Sequence, residues 1–146
     1  MNKLEESIMA DVSLSVRHYM SNRLATLYER QDIREAVKVF TERNLFGGAV
    51  LDNLGNLVGI LSVTDCIDVA LRSGYHSGWR GTVGERMSRD VRTVDAEDSI
   101  LDVAKMFMDD HYRRYPVVDD NRVVGVITRL DVLKALRTIG DSGFPV

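Results

Sequence analysis

The feature that most constrains this sequence is an internal repeat with an offset of 67 residues. The segment Val16–Ser21 is matched by Val83–Ser88 at this offset. One residue is then lost in a turn, and Gly59–Asp65 lies over Gly125–Asp131. Self-similarity over this length indicates two copies of one supersecondary unit. We therefore expect the chain to fold as two related halves.

The hydrophobic pattern of the first copy predicts a strand, a helix, a hairpin and a second helix. Apolar residues within 33–40 recur at helical spacing after Asp32, which is a good N-cap residue. Two apolar runs at 49–51 and 57–61 flank a turn that contains glycine and asparagine. The last helix is predicted from Val63. The second copy repeats this order, so the predicted class is α/β, with two βαββα units in a pseudo-two-fold arrangement.

The repeat also predicts how the chain is divided. Residues 1–15 form an N-terminal extension, which we expect to be a short helix capping the module. Residues 16–72 form the first repeat and residues 83–139 the second. The glycine-rich stretch 73–82 has no apolar period and is predicted to be the linker between them. Residues 140–146 are predicted to be a loose tail.

Composition and charge exclude several classes of protein. Hydrophobic residues make up 45% of the chain and charged residues 28%, which is the usual balance of a globular protein. The formal net charge of −3 argues against nucleic-acid binding. No apolar run approaches the roughly 18 residues of a membrane span, and acidic residues interrupt the N-terminus, so neither a membrane segment nor a secretory signal is expected. These features predict a cytoplasmic protein.

The sequence contains no recognisable catalytic or metal-binding pattern. Its three histidines and one cysteine lack the spacing of metal ligands. The serine nucleophile elbow, the P-loop and the dinucleotide-binding fingerprint are all absent. We therefore expect a protein that is not an enzyme, with no required cofactor, no metal site and no catalytic residue.

The strand-to-helix turns of the two copies carry the same motif, Ser62-x-x-Asp65 and Thr128-x-x-Asp131. Such a pair can simply cap the following helix. The same geometry can also bind a ligand, because a helix N-terminus presents backbone N–H groups to an anion. A carboxylate at this position can accept hydrogen bonds from a vicinal diol such as that of ribose. From the residues alone, both interpretations remain open.

Two βαββα copies that each end in Gly-x-x-[Ser/Thr]-x-x-Asp resemble a tandem pair of cystathionine-β-synthase (CBS) domains. The segment Arg113–Asp119 strengthens the resemblance, because it is similar to the strand entry His-Arg-Leu-Pro-Val-Val-Asp of that family. The similarity extends over about residues 16–138. It implies a regulatory module, and many members bind AMP, ADP, ATP or S-adenosylmethionine in a cleft between the two copies.

The resemblance also implies site residues. In nucleotide-binding members, the aspartate of the turn holds the ribose hydroxyls, the preceding Ser and Thr positions support ribose and phosphate, and basic residues of the other copy hold phosphate. Carried over to this chain, the first site would combine Ser62, Thr64 and Asp65 with Arg113 and Arg114. Arginine suits phosphate because its planar fork makes paired hydrogen bonds.

The second implied site would use Thr128, Arg129 and Asp131. Its partners from the other copy would be Phe46 and Gly47, which carry no charge. This arrangement departs from the phosphate-binding pattern of the family, although Arg129 could partly substitute for the missing charge.

Two functions of different classes follow from the resemblance. The first is a stand-alone sensor that binds an adenosine compound and signals to an unidentified effector protein. The second is a structural dimerisation module that binds no nucleotide. In either case we expect a homodimer, because CBS pairs commonly stack the exposed helices of both copies and because two-fold symmetry is the commonest oligomeric arrangement.

Overall fold

The computed structural model describes residues 14–77 and 79–141, which form two compact units. The unit built mainly on the first repeat contains residues 23–92 and 120–123, and we call it the repeat-1 unit. The repeat-2 unit contains residues 14–22, 93–119 and 124–141 among those described. Each unit has its own hydrophobic core.

The repeat-1 unit is a three-stranded sheet with helices. Its elements are β1 (Ala25–Tyr28), α1 (Ile33–Arg43), β2 (Gly47–Leu51), β3 (Leu57–Ser62), α2 (Val63–Ser77) and the short α3 (Val83–Arg86). The strand order is β1-β2-β3, in which β1 runs parallel to β2 and β2 runs antiparallel to β3. The crossover through α1 is what a parallel pair of neighbouring strands requires.

The repeat-2 unit has the same βαββα order, preceded by a 3₁₀ helix. Its elements are a 3₁₀ helix (Val16–His18), β4 (Val94–Asp95), α4 (Ile100–Asp109), β5 (Arg114–Asp119), β6 (Arg122–Thr128, of which residues 124–128 belong to this unit) and α5 (Arg129–Asp141). The strand order is β4-β5-β6, with β4 parallel to β5. The two βαββα repeats predicted from the sequence are therefore confirmed.

Local sequence explains where the elements begin and end. The side chains of Asp32 and Ser99 cap α1 and α4 by accepting a hydrogen bond from the backbone N–H two residues on. Asn44 ends α1 in the left-handed conformation. The β5–β6 turn places Asp120 and Asn121 at positive φ, as a two-residue type I′ hairpin loop requires.

The segment that precedes the first strand of each repeat packs on the core of the other repeat. Val16 is fully buried in the core of the repeat-2 unit, and Val83 is fully buried in that of the repeat-1 unit. The predicted boundaries at 16–72 and 83–139 follow sequence similarity, so they group Val16 with the first repeat and Val83 with the second. Periodicity shows that a residue is buried, but it does not identify the core that buries it.

The segments that precede the first strands, which we call the exchanged segments, approach the backbone closely. The repeated glycine of the Gly-x-x-[Ser/Thr] segment leaves space for them. A Cβ at Gly59 would overlap Met87 Sδ and lie 2.8 Å from the carbonyl oxygen of Ser88. In the other repeat, a Cβ at Gly125 would lie 2.6 Å from the carbonyl oxygen of Ser21. Ile60 and Ser88 bond through their backbones at this contact. The motif glycine is therefore required by close backbone approach.

We expect Gly59→Ala to destabilise the protein by about 1–3 kcal/mol, because overpacking forces the strand and the exchanged segment apart. Gly140→Ala is a matched control: a Cβ at this exposed position in α5 would contact nothing within 4 Å. Urea unfolding curves of both variants measure the effect. Equal stability of Gly59→Ala and the parent chain would show that the close contact is not required.

The helices continue into segments that were predicted to be irregular. Helix α2 extends to Ser77, so residues 73–77 of the predicted linker are helical. Helix α5 extends to Asp141, into the predicted tail. Continued backbone hydrogen bonding outweighs the cost of about 1 kcal/mol for a glycine inside a helix. The predicted N-terminal helix lies outside the described residues, except for Leu14 and Ser15 at its end. Among the described helices, none has the length and hydropathy needed to cross a membrane.

Candidate functional site

In the repeat-1 unit, Ser62 and Asp65 form a reciprocal capping box at the start of α2. The backbone N–H of Ser62 donates to Asp65 Oδ2 at 2.8 Å, and the backbone N–H of Asp65 donates to Ser62 Oγ at 3.1 Å. The backbone N–H of Val63 donates to the carbonyl oxygen of Phe46 at 2.9 Å. These bonds hold the turn rigidly and direct the Asp65 carboxyl toward the helix N-terminus, where a negative charge is favoured.

The repeat-2 unit repeats this box with one additional bond. Asp131 Oδ2 accepts from the backbone N–H of Thr128 at 2.9 Å and from the Thr128 hydroxyl at 3.0 Å. The backbone N–H of Asp131 donates to Thr128 Oγ1 at 3.2 Å. The capping interpretation of the motif is therefore realised in both repeats.

Capping leaves part of each carboxylate available for a ligand. Asp65 and Asp131 are both half-buried, and each uses Oδ2 for capping. Within residues 14–77 and 79–141, no hydrogen bond reaches Oδ1 of either residue. A carboxylate oxygen can accept two hydrogen bonds. The same side chain can therefore cap its helix and accept a bond from a ribose hydroxyl.

The first turn of α2 also offers a backbone donor. The N–H groups of Val63 and Asp65 are both occupied by the bonds described above. The N–H of Thr64 has no acceptor among the described residues, and the Thr64 side chain is exposed. A backbone N–H at a helix N-terminus is suited to an anion or to an electronegative ligand atom.

The two predicted phosphate-binding arginines lie at the entrance to β5. Arg113 is exposed, whereas Arg114 is half-buried as the first residue of the strand. Burial lowers the pKa of Arg114, and the neighbouring positive charge of Arg113 lowers it further. Arginine remains charged at neutral pH despite such a shift. An anion at this position would offset both the desolvation and the repulsion between the two guanidinium groups.

The hairpin of the repeat-2 unit places these arginines at the same end as the capping box. Arg114 begins β5 and Thr128 ends β6, and a two-residue loop connects the two strands. In an antiparallel hairpin, the start of the first strand and the end of the second lie side by side. Sequence reasoning missed this proximity because it sought basic partners only in the other copy. The short loop predicted between these two strands was the sequence signal that could have predicted the proximity of Arg114 to Thr128.

The predicted site residues therefore fall into two groups. Ser62, Thr64 and Asp65 lie together at the start of α2 in the repeat-1 unit. The repeat-2 unit holds the others, all at one end of the β5–β6 hairpin: Arg113, Arg114, Thr128, Arg129 and Asp131. The pairing of Asp65 with Arg113 and Arg114 stays a prediction.

Comparison with known proteins identifies the family. The family model for the CBS domain matches residues 16–72 and 83–138, which together make up most of the chain. The chain belongs to the CBS-domain family. Its two matches confirm that it is a tandem CBS pair.

Among curated relatives, this CBS pair is 29% identical over 134 residues to the uncharacterized protein MJ1225 of Methanocaldococcus jannaschii. The alignment covers 92% of this chain and 47% of that protein. The chain thus spans about half the length of this relative.

Two solved structures of CBS pairs contain adenosine compounds. One is CBSX2 of Arabidopsis thaliana in complex with AMP, with 25% identity, a TM-score of 0.72 and coverage of 88% of this chain and 99% of that one. The other is the CBS domain pair of protein MJ0100 in complex with 5′-methylthioadenosine and S-adenosyl-L-methionine. It has 29% identity, a TM-score of 0.69 and coverage of 85% of this chain and 96% of that one.

The one cysteine of this CBS pair, Cys66, is not poised to act as a nucleophile. Cys66 is buried, and its burial, together with the charge of Asp65, raises the pKa of its thiol to about 11. The thiol is therefore neutral at pH 7 and a poor nucleophile. The described part of the chain contains no group of three or more histidine, cysteine and carboxylate side chains that could hold a metal ion.

Proposed function

We propose that this CBS pair is a regulatory module that binds an adenosine-containing ligand. The observation that carries the proposal is the duplicated capping box, in which Asp65 and Asp131 each keep one carboxylate oxygen available beside a helix N-terminus. The complexes of CBSX2 with AMP and of MJ0100 with S-adenosyl-L-methionine support this ligand class.

Each part of such a ligand has a proposed partner in this chain. The ribose diol bonds to the carboxylate of Asp65, with Ser62 and Thr64 as neighbouring polar groups. The phosphate of a nucleotide is bound by Arg113 and Arg114. A second ligand would use Thr128, Arg129 and Asp131, and the arginines of its own hairpin supply the charge that the residues at positions 46 and 47 lack.

A thermal-shift screen tests the ligand class. The ligands are adenosine, AMP, ADP, ATP and S-adenosylmethionine, with ribose 5-phosphate and guanosine monophosphate as controls. A ligand at 100 times its dissociation constant stabilises a protein by about 2.7 kcal/mol, which for a chain of this size raises Tm by roughly 5–10 °C. A flat response to every adenosine compound at millimolar concentration would contradict the proposal.

We further propose that ligand binding regulates another protein and is not followed by chemistry on the ligand. The site groups are acceptors and cations that hold a ligand, and the neutral thiol of Cys66 offers no nucleophile beside them. The effector is then a separate protein or another part of a longer chain. The second case is compatible with the relative MJ1225, of which this chain covers only 47%.

A dimerisation function is the second candidate, and the exposed apolar side chains of the repeat-1 unit favour it. Ile67 is 53% exposed and Leu71 is 76% exposed, one turn apart on α2. Beside them, between α1 and α2, lies an apolar cavity of about 720 Å³ lined by Val37, Phe40 and other residues. Apolar patches of this kind commonly mark protein interfaces.

We expect the chain to be a homodimer at micromolar concentration, with twice the monomer mass of 16.4 kDa. Ile67→Asp should convert it to a monomer, because a buried unpaired charge at an interface is costly. Asp68→Asn, at the exposed neighbouring position of α2, is the control. Sedimentation equilibrium measures the mass, and a parent chain that sediments as a monomer contradicts the prediction.

A further inference from the structure

A polar cavity lies at one end of the sheet of the repeat-1 unit, and its volume is about 710 Å³. The cavity borders the loop that joins β2 to β3, whereas Ser62 and the capping box lie at the other end of these strands. It is therefore separate from the capping box at the start of α2. Gly84 of α3 lines the cavity together with five charged side chains, Glu29, Arg30, Asp52, Glu85 and Arg89.

The same place in the repeat-2 unit holds an arginine side chain. The sequence repeat aligns Gly84 with Arg17, and it aligns Glu29 with Ala96. The backbones agree with this alignment, because the N–H of Gly84 donates to the carbonyl oxygen of Glu29 at 2.9 Å. The N–H of Arg17 donates to the carbonyl oxygen of Ala96, also at 2.9 Å. Gly84 therefore leaves open, in its own unit, the space that a side chain fills in the other unit.

In the repeat-2 unit, the guanidinium of Arg17 bonds to two carboxylates. Its Nε donates to Glu97 Oε1 at 2.9 Å, and its Nη2 donates to Asp119 Oδ2. The residues aligned with Glu97 and Asp119 are Arg30 and Asp52. The cavity of the repeat-1 unit thus keeps one of the two carboxylates and has a cation in place of the other.

The charged side chains of the cavity leave groups of both signs available to a ligand. Glu29 and Arg89 form an ion pair at 3.5 Å, so their charges offset each other. In the described part of the chain, the exposed side chains of Arg30 and Glu85 take part in no hydrogen bond or ion pair. Asp52 Oδ2 accepts one bond within its own loop and can accept a second. A ligand therefore meets the carboxylates of Asp52 and Glu85 and the guanidinium of Arg30.

We propose that this cavity binds a small compound with a guanidinium at one end and a carboxylate at the other, as free arginine has. The guanidinium bonds to Asp52 and Glu85, in the place that Arg17 fills in the other repeat. The carboxylate of the ligand pairs with Arg30, the residue that replaces Glu97. Bonds between a guanidinium and a carboxylate are charge-assisted and specific in geometry. The inference does not depend on adenosine binding.

Titration calorimetry of the parent chain with three compounds tests the proposal. Free arginine carries both groups, agmatine lacks the carboxylate, and citrulline has a neutral urea in place of the guanidinium. We expect arginine to bind saturably at millimolar concentration or below. Agmatine and citrulline should each bind about tenfold more weakly or worse, because each loses a charge-assisted bond. Absence of saturable arginine binding, or equal affinity for arginine and either of the other compounds, overturns the proposal.

Two substitutions test whether the ligand occupies this cavity. Arg30→Ala should weaken arginine binding by about tenfold or more and leave agmatine binding unchanged, since only the carboxylate loses its partner. Gly84→Arg should abolish arginine binding, because its side chain would fill the cavity as Arg17 fills the same place in the other repeat. The control is Arg43→Ala, which removes an exposed arginine of α1 outside the cavity and should bind arginine like the parent chain.

Circular dichroism checks the fold of each variant, since a Cβ at Gly84 would lie 3.1 Å from the carbonyl oxygen of Glu29. Arg30 is exposed, so Arg30→Ala tests the proposal even where Gly84→Arg does not fold. If Arg30→Ala or folded Gly84→Arg binds arginine with the affinity of the parent chain, the ligand does not occupy this cavity and the proposal is wrong.

Discussion

Replacing Asp65 by asparagine is expected to weaken the binding of AMP and of adenosine by similar factors, of about ten- to a hundredfold or more. The ribose diol loses a charged acceptor, and this loss is the same whatever the phosphate count of the ligand. Asparagine keeps one side-chain oxygen, so it can still accept the 2.8 Å bond from the N–H of Ser62 that caps α2. The effect should therefore appear in affinity and not in folding.

Titration calorimetry with both ligands measures this effect, and circular dichroism checks the fold. Asp68→Asn makes the same chemical change three residues further along α2, where the side chain is exposed and paired with Arg72. It should bind like the parent chain. If Asp65→Asn binds both ligands with parental affinity, Asp65 serves only as a helix cap.

Arg114→Ala is expected to weaken AMP by about tenfold or more, whereas adenosine should bind almost unchanged, because only the phosphate loses a charge-assisted bond. The residual binding of AMP should also depend less on salt, since fewer charges interact. Arg114 is half-buried beside Arg113, so the substitution also relieves repulsion between the two guanidinium groups, and circular dichroism checks that the fold is kept.

The matched control for this change is Arg137→Ala, which removes an exposed arginine of α5 outside the candidate site. The measurement is a series of AMP and adenosine titrations at two salt concentrations. An equal loss of affinity for AMP and adenosine in Arg114→Ala would contradict phosphate binding and would indicate a structural role for this side chain.

Much of the fold could be predicted from the sequence because its signals are local. Asp32 and Ser99 mark helix starts through bonds to residues two positions away, and Ser62 and Asp65 are linked within one turn. Such short-range chemistry placed the starts of the helices at Val63 and Arg129, where the structure has them. The duplicated motif supplied the βαββα order of the elements along the chain, since each copy supports the interpretation of the other.

Long-range packing could not be predicted in the same way. Val16 and Val83 are each buried on the core of the other repeat, and apolar periodicity alone does not identify which core buries a valine. The proximity of Arg114 to Thr128 likewise depends on how a hairpin closes, and not on the spacing of either motif. Similarity between the repeats does not predict whether a residue packs on its own repeat or on the other one, so these long-range contacts could be identified only in the structure.

The most direct test of the proposed function is a calorimetric titration of AMP into the parent chain and into the double variant Asp65→Asn, Asp131→Asn. The double variant removes the available carboxylate from both repeats while keeping an oxygen for each helix cap. The account predicts saturable binding to the parent chain, and an affinity for the folded double variant that is lower by about a hundredfold or more. Equal affinity for the two proteins, or no binding of AMP or of any other adenosine compound to the folded parent chain at millimolar concentration, would contradict it.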